Sequence, residues 1–352
     1  MKIYKKDSKG RIRSLNIYVG GDTLYQVSGL LAGKKVTHSK VCKPKNIGKK
    51  NATTGATQAI SEKEAIVIKK LKEGYFITEE GAESTNVILP MLAKEFGKEE
   101  KKVVYPCFVQ PKFDGMRCLA IMKNNTITLM SRQNREITTM DHIKPDLMAR
   151  YKEGLILDGE LYAHGLTFQE NMKLLKKYRK GKSEKVNYHI YDTISGKAFE
   201  DRTVDLALLE FSKSTYLKSV QTLQLVCKED LEYFHDSFLA AGFEGTMVRW
   251  GTEGYKINGR SSNLLKYKDF KDVALPVIDI IESDRVLGHG IVVIEYNGHR
   301  SKTGSKISHA DRKDLLTKKD EYIGLTAEIR YFEETDKGAL RFPVFIGFRA
   351  DK

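Results

Sequence analysis

The stretch Gln110-Pro111-Lys112-Phe113-Asp114-Gly115-Met116-Arg117 decides how this 352-residue chain is read. The pattern K-x-D-G-x-R arises by chance in about one chain in a few hundred of this length. Its residue types fit one chemistry. A lysine amine is a nucleophile only when neutral, so neighbouring cations or burial must disfavour its proton. Glycine lets backbone approach a phosphate closely, and arginine can fork onto phosphate oxygens. Taken alone, the segment also fits a charged turn between two strands.

Four further segments extend the pattern. Leu157-Asp158-Gly159-Glu160-Leu161 lies in a β-like run over residues 155–162. Period two there places Asp158 and Glu160 on one side and Leu155, Leu157 and Leu161 on the other. Glu244-Gly245-Thr246-Met247-Val248-Arg249 supplies another carboxylate in an apolar strand, and Leu264-Leu265-Lys266-Tyr267-Lys268 puts two lysines on one strand face. Each of these alone also reads as a half-exposed strand with its charges outward. The terminal segment Arg341-Phe342-Pro343-Val344-Phe345-Ile346-Gly347-Phe348-Arg349-Ala350-Asp351-Lys352 alternates. Phe342, Val344, Ile346 and Phe348 are expected as a core face, with Arg349 and Asp351 opposite.

In this order the segments resemble the nucleotidyltransferase motifs of ATP-dependent DNA ligases, a superfamily that includes RNA ligases and mRNA capping enzymes. The resemblance runs from Leu89-Pro90-Met91-Leu92-Ala93 to Lys352, about three-quarters of the chain. It implies an α+β fold: a nucleotidyltransferase domain of ATP-grasp-like antiparallel sheets with helices, a C-terminal OB-fold β-barrel and a small basic N-terminal domain. The expected boundaries are 1–85, 86–270 and 271–352.

The resemblance also implies roles. Lys112 attacks the α-phosphate of ATP, the AMP donor. Asp114 and Arg117 hold the nucleotide sugar and the nick phosphates, and Arg132 of Ser131-Arg132 contacts the 5′-phosphate side. Glu160 holds ribose or metal, and Glu244 is the foremost ligand for Mg²⁺, for which Mn²⁺ can substitute. Tyr191 of His189-Ile190-Tyr191-Asp192 stacks on adenine, and Gln110 reads the adenine edge. Lys266 and Lys268 contact the α-phosphate; Arg349 and Lys352 orient the leaving pyrophosphate. Tyr191 also fits ordinary strand core. His164, His189 and Trp250 read as structural.

Outside these motifs, charge is the main signal. The chain carries a net +14, of which residues 1–60 supply +11 through 13 Lys/Arg against Asp7 and Asp22. Such a block suits a polyanion partner, or else a solvated tail. Ile12, Leu15, Ile17 and Val19 alternate imperfectly before a Gly20-Gly21 turn. Ser61-Glu62-Lys63-Glu64 has the form of a capping box, opening a helix closed by Gly74. The run Lys43-Pro44-Lys45-Asn46-Ile47-Gly48-Lys49-Lys50-Asn51-Ala52-Thr53-Thr54 with that helix resembles the WGR-like domains of some bacteriophage ligases, without the Trp-Gly-Arg triplet. Residues 79–86 read as a linker. Asn124-Asn125 predicts a hairpin. Helices are expected at 202–214 and 230–241, and an amphipathic segment near 308–318.

No apolar run approaches the eighteen or so residues of a membrane helix, and the Lys-rich N-terminus has no apolar leader. Cys42, Cys107, Cys118 and Cys227 are scattered, which argues against a zinc site or disulfide framework and fits a reducing cytosol. The expected setting is the bacterial cytoplasm, for a phage-encoded monomer acting on nicked duplex DNA without a membrane. Three alternatives stay open on sequence alone: an RNA ligase, a GTP-using capping enzyme, and a catalytically dead nucleic-acid-binding protein on the same fold.

Overall fold

The computed structural model describes residues 1–7, 10–84, 87–284 and 286–349. They divide into two compact units. One comprises residues 1–3, 13–68 and 269–352; the other comprises residues 4–12 and 69–268.

The unit that contains the lysine motif is built on two five-stranded sheets. The first orders Leu217–Ser219, Asn187–Thr193, Ile156–Tyr162, Met116–Lys123 and Thr126–Ser131; the second orders Leu223–Leu225, Cys107–Lys112, Gly245–Arg249, Arg260–Tyr267 and Leu92–Glu95. Pairing is antiparallel except at one edge of each sheet. The expected hairpin is present: Asn124 and Asn125 both take positive φ, 51° and 53°, as a two-residue primed turn requires.

Alternation along the strands decides where the chemistry sits. On the first sheet, Cys118, Ala120, Leu129, Leu157, Leu161, Tyr188 and Ile190 enter one apolar core. On the second, Cys107, Val109, Val248 and Leu265 enter another, with Leu231 and Phe238 of the helix Lys228–Ala240. Each large aliphatic side chain so buried contributes about 1.5–3 kcal/mol. The intervening residues of period two, among them Gln110, Lys112, Arg117, Glu160 and Lys266, are left to line a cleft. Trp250 packs into the second core, as its structural reading required.

In the other unit, Ile12–Gly20, Thr23–Leu30 and Lys35–Val41 form an antiparallel meander. The following helix starts at Gly55, six residues before the expected Ser61 box, and ends at Lys72. Thr54 and Thr57 cap it reciprocally: Thr57 N–H donates to Thr54 Oγ1 at 3.2 Å, and Thr54 N–H to Thr57 Oγ1 at 2.8 Å. Ser61 and Glu64 therefore lie within the helix, where neighbouring Glu62 accepts from Lys40, Lys45 and Gln58. The expected linker at 79–86 contains a helix, Glu79–Ser84, and Asn86 lies outside the described residues. The helix expected at 202–214 is Phe199–Ala207.

Residues 269–349 form a six-stranded sheet in the order His299–Lys302, Gly290–Tyr296, Lys271–Glu282, Thr326–Tyr331, Val344–Phe348, Gly304–Ser305. The helix His309–Thr317, boxed by Ser308 and Asp311, buries Leu315 in its core. The alternation expected for the last strand fails. Phe345 is the buried residue, whereas Phe342 is 63% exposed with φ 55°. The register slips between Glu328 and Ile329, skipping Ile346, so that Phe345 and Phe348 both pack on the core.

Candidate active site

Lys112 ends its strand at the edge of a cleft of about 1280 Å³. The neighbouring strand fixes its surroundings. Gly245 pairs with Lys112, and Glu244 N–H donates to Lys112 O at 2.8 Å, which places the Glu244 carboxylate beside the lysine. Glu244, buried to 8% exposure, accepts a hydrogen bond from Lys112 and forms an ion pair with Lys268. Thus Lys112, Glu244 and Lys268, from three separate sequence segments, form one chain of contacts.

The motif glycines act differently from the sequence reading. A Cβ on Gly115 would lie 2.4 Å from Leu161 O, and one on Gly245, at φ 146°, 2.2 Å from Tyr267 O. Both positions are closed to a side chain by protein backbone, which brings the strands close enough for Lys112, Glu160 and Glu244 to share a cleft.

Arg117 is committed within the protein. It pairs with buried Asp158 through Nε at 2.9 Å and through Nη2, and Asp158 also accepts from Tyr255 Oη at 2.6 Å. Burial disfavours the charged Arg117 guanidinium, but Asp158, with Tyr191 and Tyr255, outweighs it and the pKa is raised. Asp114 occupies the turn between the two motif strands. Glu160 pairs across the sheet with Arg117 and with His189. Burial pushes its carboxyl up to about 7, with Asp158 and Asp114 adding to the rise against Lys112 and Arg117.

Beyond Lys112 the cleft is strongly cationic. Arg132, Arg260 and Lys266 line it. Burial lowers the Lys266 pKa, and Lys112, Arg260 and Arg132 lower it further against Glu95. Burial, Arg117 and Arg260 likewise lower that of Arg132. Cations that depress one another's charge in a cleft mark a place built for an anion.

The opposite part of the cleft is aromatic and polar. A bulge between Ile190 and Asp192 lets Tyr191 and Asp192 both reach Arg249. Tyr191 Oη donates to Gly159 O at 3.3 Å, and its ring lies 5.6 Å from the Arg117 guanidinium. Buried Gln110 donates from Nε2 to Tyr191 O at 3.1 Å and to Thr222 Oγ1 at 2.9 Å. His189 is a packing residue: it lies 4.7 Å from the Phe113 ring, and burial pushes its pKa down to about 4.

The structure therefore brings together Gln110, Lys112, Arg117, Arg132, Glu160, Tyr191, Lys266 and Lys268 as cleft-lining residues, with Glu244 in contact with two of them. Arg349 is exposed in the other unit, its N–H bonded to Thr326 O at 2.9 Å; Lys352 lies outside the described residues. Among the described residues no three His, Cys, Asp or Glu side chains are grouped to hold a metal. Sequence reading missed Asp192, Arg202, Arg249, Tyr255 and Arg260. Arg260 shares strand parity with Leu264 and Lys266, which was a usable signal. The Asp192–Arg202–Arg249 cluster offered none, because its members come from three elements.

Comparison with known proteins agrees with this arrangement. Residues 90–268 match the family model described as ATP dependent DNA ligase domain, and residues 285–349 the one described as DNA ligase OB-like domain. The DNA ligase of Enterobacteria phage T4 is 27% identical over 334 aligned positions, covering 74% of this chain and 68% of that protein. A DNA ligase of African swine fever virus is 24% identical over 348 positions, covering 88% and 79%. The solved structure named Pmar-Lig_PreS3 superposes with a TM-score of 0.67 at 22% identity, covering 78% of this chain and 73% of its own. A structure from work on DNA binding by Lig E DNA ligases gives 0.62 at 22%, covering 75% and 100%. At that identity the two structures speak to the fold.

Proposed function

We infer the working roles of the cleft residues from one premise: this chain belongs to the ATP-dependent DNA ligase family. The reaction joins a 3′-hydroxyl to a 5′-phosphate in DNA through lysyl-AMP and adenylylated DNA. Lys112 is the nucleophile in this assignment. Its Nζ attacks the α-phosphorus of ATP, a P–N bond forms, and pyrophosphate leaves. The observation that carries the assignment is the contact chain Lys112–Glu244–Lys268 beside the cationic group of Arg132, Arg260 and Lys266.

Glu244, touching the Lys112 ammonium, is placed to receive the proton that must leave before attack. Lys266 and Lys268 offset the charge that grows on the α-phosphate oxygens. Arg132 and Arg260 meet the phosphate of the DNA end. Arg117, fixed by Asp158, presents its remaining surface to the sugar and to Tyr191, against which adenine lies. Arg349 and Lys352 are assigned to the leaving pyrophosphate, which the match of residues 285–349 to a ligase OB-like domain supports.

The carboxylates fit a divalent cation: Glu160 and Glu244 offer hard oxygen donors, and the raised Glu160 pKa reflects buried negative charge that a cation would offset. Held by these two residues, Mg²⁺ would neutralise charge developing on the phosphates.

The substrate in this reading is nicked duplex DNA, sealed by a monomer. The basic N-terminal block supports it. The phage T4 relative and four free cysteines support a phage-encoded enzyme of the bacterial cytoplasm. Sealing of nicked DNA, RNA and hybrid duplexes with ATP and Mg²⁺ tests the substrate. Lys112→Ala is expected to lose all labelling by α-³²P-ATP while keeping the wild-type melting temperature; labelling that persists would remove Lys112 as the nucleophile.

A further inference from the structure

A second cavity, of about 510 Å³, lies in the same unit as the catalytic cleft and shares with it the wall made by Pro111 and Phe113. Its volume is that of a small-molecule site. Phe113, Phe234, Phe238 and Phe243 form its sides. Phe243 meets Phe113 edge to face at 5.2 Å and Phe238 at 6.3 Å. Rings disposed in this way suit a flat, unsaturated occupant, which gains area and ring contacts together.

Two polar groups on the wall set the polarity of that occupant. His189 Nε2 is buried and has no hydrogen-bond partner. The ring does donate to the backbone carbonyl of Tyr162, so that bond is made by Nδ1. Burial holds the ring pKa down at about 4, with His164 and Lys218 lowering it further. At neutral pH the single proton therefore sits on Nδ1, and Nε2 is an acceptor left without a donor. Lys218 is the cation of the wall. Its Nζ reaches Ser214 O at 3.5 Å and has no acidic partner among the described residues.

The cavity is tied to the reaction by chain connectivity. Phe113 follows Lys112 and Phe243 precedes Glu244, and the two rings are in contact just as the Lys112 and Glu244 side chains are. Lys112 must part from Glu244 to reach the α-phosphorus. Close-packed walls transmit such a displacement, so an occupant seated against both phenylalanines favours the arrangement in which Lys112 stays on Glu244. We propose that this cavity is an effector site for a planar N–H heteroaromatic acid. The ring packs among the phenylalanines, its N–H donates to His189 Nε2, its acid group pairs with Lys218, and its binding opposes adenylylation of Lys112. The last of these rests on the reading of Lys112 as the nucleophile.

Indole-3-acetate carries all three features and serves as the probe. Its controls are 1-benzothiophene-3-acetate, which lacks the N–H, and 3-methylindole, which lacks the acid. Isothermal titration calorimetry on the full chain should show saturable one-to-one binding of the probe with Kd below about 1 mM. Each control should bind about tenfold more weakly, because it leaves Nε2 or Lys218 unpaired. His189→Phe should erase the preference over the benzothiophene, and Lys218→Met the preference over 3-methylindole. Saturating probe should slow lysyl-AMP formation by about fivefold or more with KM for ATP unchanged, and the adenylylated enzyme should bind the probe about fivefold more weakly or worse. Failure to saturate, preferences that both variants retain, or competition with ATP would overturn the site. Binding with the expected preferences and no change in rate would overturn the effector role. Absence of ATP labelling without the probe would refute the ligase reading instead, and calorimetry would still decide the site. The wild-type series of three compounds is decisive even where a variant folds poorly.

Discussion

Asp192→Asn should destabilise the catalytic unit severely although it changes one atom. Asp192 is fully buried, and it accepts from Arg202 Nε at 2.6 Å, Arg202 Nη2 at 3.1 Å, Arg249 Nη1 and Thr193 N–H at 2.8 Å. Arg202 and Arg249 are 2% and 3% exposed. Asparagine preserves the volume, so no cavity opens, but two buried guanidinium groups lose their shared counter-charge and one acceptor oxygen becomes an N–H donor. Breaking a buried ion pair from one side costs about 3–5 kcal/mol. For a unit of this size each kcal/mol lowers Tm by about 2–4 °C, so a drop of roughly 10 °C is expected. Differential scanning calorimetry at pH 7 measures it directly. Asp192→Asn combined with Arg202→Met removes the unpaired charge and should recover part of the loss, a coupling expected of residues in contact. A single variant that melts within 2 °C of wild type would refute the claim that this cluster is held by the charge of Asp192.

The remaining predictions concern chemistry, pH and DNA. Glu244→Ala and Lys266→Ala should each slow lysyl-AMP formation by about a hundredfold or more, and Mn²⁺ should restore some of the Glu244→Ala rate; near-normal single-turnover rates would show that the cleft residues are misassigned. His189 has a folded pKa of about 4, below its unfolded value near 6.5, so the native state binds the proton less well. Its contribution is full above pH 6.5 and is lost as pH falls towards 4. Wild type should therefore lose about 2 kcal/mol more than His189→Phe between pH 7 and pH 5, read from urea titrations at the two values. Replacing exposed Lys43, Lys49 and Lys50 with Gln should leave adenylylation intact and flatten the log–log salt dependence of nick binding by about 0.9 for each phosphate contact removed. An unchanged slope would assign these lysines no part in DNA binding.

Reading the sequence reached the site because its motifs lie on strands, where parity alone assigns a side. Lys112 with Gln110, and Lys266 with Lys268, fall on the cleft face that period two predicts, as does Glu160. The Asn124-Asn125 hairpin was equally legible, since few residues tolerate two successive positive φ values. Parity failed where a bulge intervened. The skipped residue at Ile346 moved Phe345 into the core and left Phe342 exposed, and the bulge after Ile190 turned Asp192 towards Arg249. A bulge depends on the partner strand, which the local sequence does not specify. Helix starts failed for a related reason. Ser61-Glu62-Lys63-Glu64 has a capping pattern, but Thr54 and Thr57 close the helix end earlier in the chain, so that pattern falls inside the helix.

The chain's own residues determined which groups are available for chemistry: a lysine amine, carboxylates, and cations spaced along alternating strands, with excess positive charge near the N-terminus. Tertiary structure alone decided which of those groups are already spoken for. Arg117 is spent on Asp158 and Tyr255 restrains the same carboxylate; Glu244 is shared by two lysines; Gln110 is locked with its oxygen unpaired. Composition and spacing count donors and acceptors. Whether each is satisfied depends on partners 41 to 138 positions away along the chain for Arg117 and 132 for Lys112, brought within 3 Å or so only when the two sheets form.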